Sequence, residues 1–552
     1  MKILILGGYG VFGGRLAELL NDLPDLTLLI AGRSLQKAET FCATYQGAPT
    51  LLPRKLDRAD ISAHLASQKP DLIVDASGPF QNYGDDPYAV PRTAIEHAIP
   101  YVDFADASDF VTGITALNTA AQKADVFVLS GVSSFPVLTA AVAREISRDL
   151  DVKTITGGIA PSPYAGIGLN VMRAVVGYAG HPITLTRNGR VTTAKGLSES
   201  QRTTIAPPGE LPLRNIHFSL VDVPDLQVIP PEYPNLDSIW MGAGPVPEIL
   251  HRALNLLAKL RGRGLLPNLA PASPLFYKIL NLMKFGEHRG GMFVRVTGDG
   301  PNGPITRTWN LLAEGDDGPY IPSMAIEAII RKMLNGERPK NGARAATDAL
   351  TLADYDTLFE RRTITTGIRE NLPATAPLYE RILGEAFQNL PDQIRDLHTP
   401  NGITKWSGTA RVTRGTGPLS ALAGFFLRLP AANAATPVTV TFTPQNNGEL
   451  WERNFGGKKF HSFQAEGTGR NAHLLTERFG PITVSLALVL KNGELDLIPR
   501  RWAFLGIPMP TAFLPQGRSF ESAQGGTFTF NVQFKTPITG LIAAYEGTLT
   551  KQ

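Results

Sequence analysis

The stretch Ile3-Leu4-Ile5-Leu6-Gly7-Gly8-Tyr9-Gly10-Val11-Phe12-Gly13-Gly14 decides the fold of the N-terminal part of this chain. An apolar strand leads into a glycine-rich turn, and the spacing of Leu16, Leu19 and Leu20 then predicts a helix. Glycines spaced as G-x-G-x-x-G in this context permit a tight turn and close approach of the backbone to a pyrophosphate. The helix N-terminus would add free N–H groups and the positive end of its dipole. The pattern predicts a dinucleotide site formed by Gly8, Tyr9, Gly10, Val11, Phe12 and Gly13; a purely structural glycine turn is the alternative.

Apolar strands and helices continue to alternate beyond this turn. The pattern predicts strands at 26–31, 51–52, 71–75, 101–104 and 126–130, with helices at 35–45 and 61–67. Such βαβ alternation is typical of a Rossmann-type doubly wound parallel sheet, which binds ligands at the carboxyl ends of its strands. We therefore predict an α/β fold with an NAD(P)-binding domain over residues 1–150.

The tip of the second predicted strand indicates which dinucleotide is bound. NAD-binding versions usually carry an acidic residue there, whereas this chain has Ala31-Gly32-Arg33-Ser34, followed by Lys37. A guanidinium and a hydroxyl suit a 2′-phosphate, so Arg33, Ser34 and Lys37 predict NADP. Binding of NAD is the alternative if Arg33 is only a solvated surface charge. Asp57, after the third strand, is either a contact to the adenosine end or a helix cap.

Composition excludes several other classes of protein. The 552 residues are 43% hydrophobic and carry a net charge of +4, without the dense basic stripe of a nucleic-acid binder. The single cysteine, Cys42, cannot form an internal disulfide. No apolar run approaches the roughly 18 to 20 residues that span a membrane, and the N-terminus lacks the apolar region of a signal peptide. We expect a cytoplasmic protein that does not bind nucleic acid.

Later motifs resemble the saccharopine-dehydrogenase-like NAD(P)-binding family. The resemblance rests on Asp75-Ala76-Ser77-Gly78-Pro79-Phe80, Tyr83-Gly84, Tyr101-Val102-Asp103 and Gly131-Val132-Ser133-Ser134-Phe135-Pro136. It continues through Trp309-Asn310-Leu311, Gly318-Pro319-Tyr320-Ile321-Pro322 and Asn341-Gly342-Ala343-Arg344, which are similar to the substrate-side domain of that family. It thus covers about residues 1–370, except for a poorly matched part between about 185 and 285, and gives a second, α+β substrate domain over 151–370.

This resemblance implies an NAD(P)-dependent oxidoreductase. It implies that Ser77, Gly78 and Pro79 lie beside the nicotinamide and that Asp103 lies in the cleft. The chain departs from the family pattern in two places: members often have Asn where it has Asp75, and Gly-Glu where it has Asp106-Ala107. The lost glutamate argues against an amino-acid substrate.

Four side chains near the strand ends are candidates for catalysis. Asp103 and Asp106 would form a carboxylate pair with one raised pKa, able to act as acid or base. Tyr83 and Ser133 would hydrogen-bond a carbonyl oxygen as it gains charge. Turn formation and capping are the alternative roles of the aspartates. The nine histidines form no HxxxH or HxH pair, so we expect no metal site.

Residues 250–290 combine leucine-rich helical faces with Lys and Arg, against the single acidic residue Glu287. Such faces lie on an anionic membrane surface or cover an apolar substrate channel. A helical pair packed on the sheet and a homodimer interface are the alternatives. We expect a small-molecule substrate as partner and leave membrane contact and dimerisation open.

The C-terminal part, 377–552, predicts a separate β-rich domain. After a linker at 371–377 and a helix at 378–390, period-two alternation at 438–442, 482–486 and 528–534 predicts antiparallel strands, eight or nine in all. These would form a barrel or a strongly curved sheet. Through Glu477-Arg478-Phe479-Gly480 and Arg500-Arg501-Trp502, the region resembles a domain of unknown function found fused behind saccharopine-dehydrogenase-like halves.

Together these features predict an NADP-dependent oxidoreductase that reduces a C=O, C=N or C=C bond of a small substrate, a lipid-like molecule being one option. A saccharopine-type amino-acid reductase is one alternative. A non-catalytic protein that binds a dinucleotide and a lipid is the other.

Overall fold

The computed structural model describes residues 1–166, 168–245, 247–426 and 429–552. The chain divides into two compact units. The first consists of Met1–Thr203 and Ile216–Thr366, and the second of Thr204–Asn215 and Gly367–Gln552. The short segment Thr204–Asn215 therefore belongs with the C-terminal domain, although it lies within the sequence of the first unit. None of the described helices combines the length and apolar character needed to span a membrane.

The first 150 residues form the predicted Rossmann-type sheet with its helices. The strands are β1 (Lys2–Leu6), β2 (Thr27–Gly32), β3 (Thr50–Lys55), β4 (Leu72–Asp75), β5 (Tyr101–Asp103) and β6 (Phe127–Ser130). The helices are α1 (Val11–Leu19), α2 (Leu35–Thr44), α3 (Ile61–Gln68), α4 (Ala89–Glu96), α5 (Ser108–Gly113), α6 (Asn118–Lys123) and α7 (Thr139–Ile146). All strand pairings are parallel, so the predicted fold class is confirmed.

Burial on both faces explains the apolar strands of this sheet. Ile3 and Ile5 of β1 are fully buried, as are Leu28 and Leu29 of β2. Parallel strands are covered by helices on either side, so both sets of alternating side chains must be apolar.

The next region adds a second, mixed sheet. The strands of this region, which are not all part of that sheet, are β7 (Asp151–Ala160), β8 (Pro182–Arg187), β9 (Arg190–Lys195), β10 (Ser200–Thr203), β11 (Ile216–Leu220), β12 (Ser238–Ala243), β13 (Arg289–Gly300), β14 (Gly303–Glu314), β15 (Gly342–Ala345) and β16 (Ile364–Glu370). The helices are α8 (Leu169–Tyr178), α9 (Asp225–Val228), α10 (Glu248–Gly262), α11 (Ser273–Leu282), α12 (Ile321–Leu334) and α13 (Leu352–Phe359). The sheet order is β10-β11-β12-β7-β13-β14-β16, and β8 and β9 form a hairpin.

Strand β15 leaves this region and pairs in parallel with β6. The first sheet thus has the order β15-β6-β5-β4-β1-β2-β3, with its last strand drawn from the range 151–370. Helix α12 also packs on the first sheet's α1, and Arg331 of α12 donates to the Asp22 carboxylate at 2.7 Å. The region that resembles a substrate domain is therefore anchored on the dinucleotide fold.

The C-terminal domain is a closed antiparallel barrel. Its strands are β17 (Thr404–Arg414), β18 (Asn433–Gln445), β19 (Gly448–Phe455), β20 (Lys458–Glu466), β21 (Leu475–Phe479), β22 (Ile482–Lys491), β23 (Glu494–Phe504), β24 (Ile507–Pro508), β25 (Phe520–Gln524), β26 (Thr527–Thr536) and β27 (Gly540–Lys551). Pairing of β22 with β23 closes a ring of ten strands, with the short β24 on the edge of β23. The predicted barrel is confirmed, with more strands than expected.

Three helices accompany the barrel: α14 (Leu378–Leu383), α15 (Asp392–Leu397) and α16 (Pro418–Phe426). The predicted helix at 378–390 is α14 followed by a 3₁₀ turn. The apolar side chains of α14 and α15 join those of the strands in one core.

Candidate active site

The point where the strand order of the first sheet reverses lies between β1 and β4. Connections from neighbouring strands leave in opposite directions there and open a crevice at the carboxyl ends, which is where such sheets bind ligands. Leu6 of β1 is in register with Asp75 of β4. The glycine-rich turn after β1 and the Ser77-Gly78-Pro79 turn after β4 therefore lie side by side.

Sterics explain why this turn is built of glycines. Gly7 has φ +74°, and a Cβ there would lie 2.7 Å from the Ala76 carbonyl oxygen. A Cβ on Gly13 would lie 2.5 Å from the Gly7 carbonyl oxygen, and one on Gly10 2.9 Å from it. Only bare backbone fits here, and helix α1 begins directly after Gly10 with N–H groups not used by the helix itself. We call this turn, residues 7–14, the glycine cradle: it presents backbone at the N-terminus of α1, where helices favour anionic groups.

Other residues of the turn hold it in place. The Tyr9 hydroxyl accepts a hydrogen bond from the Ser34 N–H at 3.1 Å, which links the turn to the tip of β2. The Phe12 ring stacks on Phe104 with centroids 5.5 Å apart. Val11 is exposed, and the backbone after β7 approaches it at Gly168. Tyr9 and Phe12 thus have packing roles in addition to any contact with a ligand.

The tip of β2 carries exposed positive charge. Arg33 and Lys37 are exposed, whereas the Ser34 hydroxyl caps α2 by accepting from the Lys37 N–H at 3.4 Å. Sheet register places Lys55, the exposed last residue of β3, opposite Gly32. Sequence reasoning missed Lys55, because the pairing of β2 with β3 is needed to bring it to this tip. Asp57 is exposed just beyond β3.

Asp75 organises the turn after β4. Its Oδ1 accepts from the Ser77 N–H at 2.9 Å and the Ser77 hydroxyl at 2.6 Å. Its Oδ2 accepts from the Tyr83 hydroxyl and, at 3.3 Å, from the Tyr101 hydroxyl. Burial and the neighbouring Asp75 carboxylate raise the pKa of Tyr83 well above its usual range. Tyr83 therefore stays protonated, and its hydroxyl donates a hydrogen bond to the Asp75 carboxylate.

Arg58 is a further polar group beside this turn that sequence reasoning missed. Its guanidinium lies 3.8 Å from the centroid of the Tyr83 ring. Its Nη1 atom is buried and has no hydrogen-bond partner among the described residues.

Asp103 lies at the end of β5 and is fully buried. Its Oδ1 accepts from the Gly131 N–H at 2.8 Å, and from the Ala105 N–H and the Ser130 hydroxyl at 3.0 Å each. Burial raises the pKa of Asp103 to about 7, these donors oppose the rise, and Asp75 adds to it. Its carboxyl ties the ends of β5 and β6 together.

Asp106, three residues after β5, is exposed. Its carboxylate accepts from the Gln81 amide at 3.0 Å. Desolvation by the surrounding protein raises the pKa of Asp106, and Asp222 raises it further. Asp75 thus acts on the pKa of Asp103, and Asp222 on that of Asp106; the pairing of Asp103 with Asp106 stays a prediction.

Asp222, two residues after β11 of the second sheet, acts on the pKa of Asp106. It accepts from the Ser108 hydroxyl at 2.7 Å, and burial raises its pKa. Tyr178, at the end of α8, is close enough that burial, Asp222 and Asp106 together raise its pKa well above its usual range. Neither residue was predicted, because both lie more than 70 positions from Asp106 along the chain and only the fold brings them there.

Ser133 lies half-buried in the loop after β6, where its N–H donates to the Gly131 carbonyl at 2.9 Å. Its position at the end of a strand neighbouring β5 places it at the same edge of the sheet as Asp103. Among the described residues, no group of three or more His, Cys, Asp or Glu side chains is arranged to hold a metal ion.

Comparison with known proteins gives two family matches. Residues 3–129 match the saccharopine dehydrogenase NADP binding domain, and residues 390–549 match a domain of unknown function, DUF4166. No curated protein sequence matches the chain.

Several solved structures are similar to part of this chain. An apo saccharopine dehydrogenase (L-Glu forming) from Saccharomyces cerevisiae is 14% identical, covers 67% of this chain and 99% of its own, and has a TM-score of 0.47. A probable dehydrogenase from Thermotoga maritima is 9% identical, covers 66% and 98%, and has a TM-score of 0.30. The WlbA dehydrogenase from Thermus thermophilus, solved with NAD and α-ketoglutarate, is 10% identical, covers 62% and 90%, and has a TM-score of 0.27.

The family matches confirm the resemblance expected from the Gly8, Ser77 and Glu477 motifs. The match of residues 3–129 to an NADP binding domain supports an oxidoreductase that uses a nicotinamide dinucleotide. The chain carries a saccharopine dehydrogenase NADP-binding domain at its N-terminus and a DUF4166 domain at its C-terminus.

Proposed function

We propose that the chain is an NADP-dependent oxidoreductase that reduces a C=O, C=N or C=C bond of a small molecule bound in the cleft at Asp106 and Asp222. The observation that carries this proposal is the pairing of a glycine cradle with a basic strand tip. Arg33, Lys37 and Lys55 are exposed at that tip. A 2′-phosphate would find cations there and no carboxylate in the position that NAD-binding domains use for the ribose.

The chain's own residues would divide the work of binding. The N–H groups at the start of α1, from Val11 to Gly13, would hold the pyrophosphate. The N–H groups of Gly8 and Gly10 donate to the carbonyls of Ala31 and Gly7, and glycine at positions 8, 10 and 13 lets the turn close because a side chain there would meet neighbouring backbone. Ser77, fixed on Asp75, would support the nicotinamide end. Bound NADPH supplies the hydride, so the protein must supply orientation and a proton.

Asp106 is the best-placed proton donor. Desolvation in the cleft and the Asp222 carboxylate both raise its pKa, so its protonated form persists closer to neutral pH. It is reachable from solvent, whereas Asp103 is fully buried. Asp103 would instead keep β5 and β6 in place under the substrate.

A saccharopine-type amino-acid reductase is the second candidate function. Asp106 and Asp222 lie within range of each other's charge, and two carboxylates that share a cleft would pair with a substrate ammonium group. Turnover of NADPH with 2-oxo acids plus amino acids would favour this candidate. Turnover with enoyl thioesters or apolar aldehydes would favour a lipid-like substrate.

Calorimetric titration with NADPH and NADH tests the cofactor assignment. We expect a preference for NADPH of about tenfold or more, which corresponds to about 1.4 kcal/mol, and its loss in Arg33→Ala. Arg190→Ala removes an exposed arginine on β9 of the same unit and should leave the preference intact. Equal affinity of the wild type for both nucleotides would refute the 2′-phosphate site, and binding of neither would refute the dinucleotide site. Tight binding with no turnover of any substrate class would instead indicate a non-catalytic protein.

A further inference from the structure

Helices α10 and α11 and the connections around them expose large apolar side chains to solvent. The six residues Ile249, Leu256, Leu265, Leu275, Leu282 and Phe285 are between 52% and 83% exposed. We name them, together with the basic residues described below, the α10–α11 surface.

On each of the two helices, exposed apolar side chains lie along one stripe. Ile249 and Leu256 of α10 are seven residues apart, as are Leu275 and Leu282 of α11. Since seven residues are about two helical turns, each pair lies on one face of its helix. The opposite face of α10 is buried at His251, Asn255 and Ala258.

The inward face of this region is firmly attached to the fold. The Asn255 amide donates to the Leu197 carbonyl at 2.9 Å. Arg261 donates to the carbonyls of Gly177 and Ala179 at the end of α8, at 2.9 Å and 2.8 Å. Helix α11 packs directly on α8. The apolar stripes therefore belong to a rigid layer, and Arg261, although basic, is used inside the protein.

Exposed cations surround the stripes. Lys259, Arg263, Lys278 and Lys284 are exposed, and none of them has an ion-pair partner in the described parts of the chain. Two acidic residues close to them in the sequence already form ion pairs with arginines: Glu248 pairs with Arg202 and Arg252, and Glu287 pairs with Arg289. The surface therefore combines unpaired positive charge with exposed apolar side chains.

We propose that the α10–α11 surface docks on an anionic lipid bilayer. Apolar side chains would enter the boundary between headgroups and acyl chains, and the four cations would face the lipid headgroups. Charge distinguishes this occupant from a second copy of the chain. A two-fold interface would bring the same unpaired lysines and arginine against themselves, and the core of such interfaces is depleted in lysine.

Co-sedimentation of the full chain with vesicles tests the proposal. We expect binding to phosphatidylcholine vesicles that contain phosphatidylserine, and much weaker binding to phosphatidylcholine alone. Lys259→Gln with Lys278→Gln should weaken binding by about 30-fold, because each cation near such a surface contributes about a fivefold gain in affinity. Leu256→Glu with Leu282→Glu should abolish binding.

A matched control distinguishes binding through this surface from nonspecific adsorption to vesicles. Val191→Glu changes an apolar residue of β9 that is 77% exposed in the same unit and should bind vesicles like the wild type. All variants should bind NADPH as the wild type does, which reports that the fold is intact.

Three results would overturn the proposal. The first is no vesicle binding by the wild type, and the second is equal binding by the wild type and the Leu256→Glu, Leu282→Glu variant. The third is a dimer, detected by light scattering, that only the Leu256→Glu, Leu282→Glu variant converts to a monomer. In that case a second copy of the chain would cover the surface.

Discussion

Asp225, the first residue of α9, should make the first unit less stable as pH rises from 4 to 7. Its side chain is fully buried, and neither carboxyl oxygen has a hydrogen-bond partner in the described structure. The hydroxyl of Thr139 lies near enough to lower the pKa slightly but does not meet Asp225 in hydrogen-bond geometry. Burial raises the pKa of Asp225 from 3.8 to about 7. The folded protein therefore holds a proton that the unfolded chain has lost.

The sign and size of the effect follow from linkage. Below pH 3.8 both states are protonated, so the carboxyl imposes no ionisation cost on folding. As pH rises toward 7, unfolding is increasingly favoured by release of the proton, and the loss is complete above the folded pKa. The gap between 3.8 and about 7 corresponds to about 4 kcal/mol of unfolding free energy, taken as an upper bound.

Asp225→Asn removes this titration. The amide needs partners that the site lacks, and that cost is about 1 to 3 kcal/mol at every pH. The difference in unfolding free energy, variant minus wild type, should therefore rise by up to about 4 kcal/mol between pH 4 and pH 8. Urea unfolding read by pulse proteolysis measures it, with Asp85→Asn as an exposed control. If the Asp225→Asn and wild-type profiles stay parallel over this range, the reasoning is refuted.

Three further changes have expected outcomes. Gly13→Ala places a Cβ 2.5 Å from the Gly7 carbonyl oxygen, so calorimetry should show loss of NADPH binding while circular dichroism stays native; wild-type affinity would contradict the cradle. Asp106→Asn should lower kcat by about 100-fold or more if Asp106 donates the proton, and should remove one limb of the pH–rate profile; an unchanged profile would assign the proton to another group. Arg369 is buried in the C-terminal unit and donates to two backbone carbonyls. Arg369→Ala should therefore lower the unfolding free energy of that unit, measured in urea, by about 3 kcal/mol. The control Arg411→Ala changes an exposed arginine and should have little effect on it.

Local pattern was sufficient to predict most elements of the first sheet. The predicted helix at 61–67 is α3 at Ile61–Gln68, and the strand at 126–130 is β6 at Phe127–Ser130. Both follow from apolar periodicity, which burial of the strands and of one helix face imposes. Strand β15 could not be located in the same way. Its four residues, Gly342–Ala345, belong to the first sheet only because they pair with β6 across more than 200 positions.

The candidate site shows the same division between local and long-range information. The cradle at Gly8 to Gly13 was predictable because each glycine is required by contacts within the turn or with adjacent strands. The partners of the aspartates were not. Asp103 and Asp106 are three positions apart, which suggested a pair, but Asp103 accepts from the Gly131 N–H, while Asp106 is exposed and accepts from the Gln81 amide. Asp222, just after β11 of the second sheet, accepts from the Ser108 hydroxyl, and no local pattern marks it.

Dinucleotide binding and proton donation would depend on different parts of the fold. The glycine cradle proposed to hold the cofactor follows β1 of the first sheet, whereas the acid that would supply the proton takes its raised pKa partly from Asp222, beyond β11. A change that loosens the contact between Ser108 and Asp222 should therefore leave dinucleotide affinity unchanged and alter the pH dependence of turnover. Binding and proton donation would be separable, because different long-range contacts hold them.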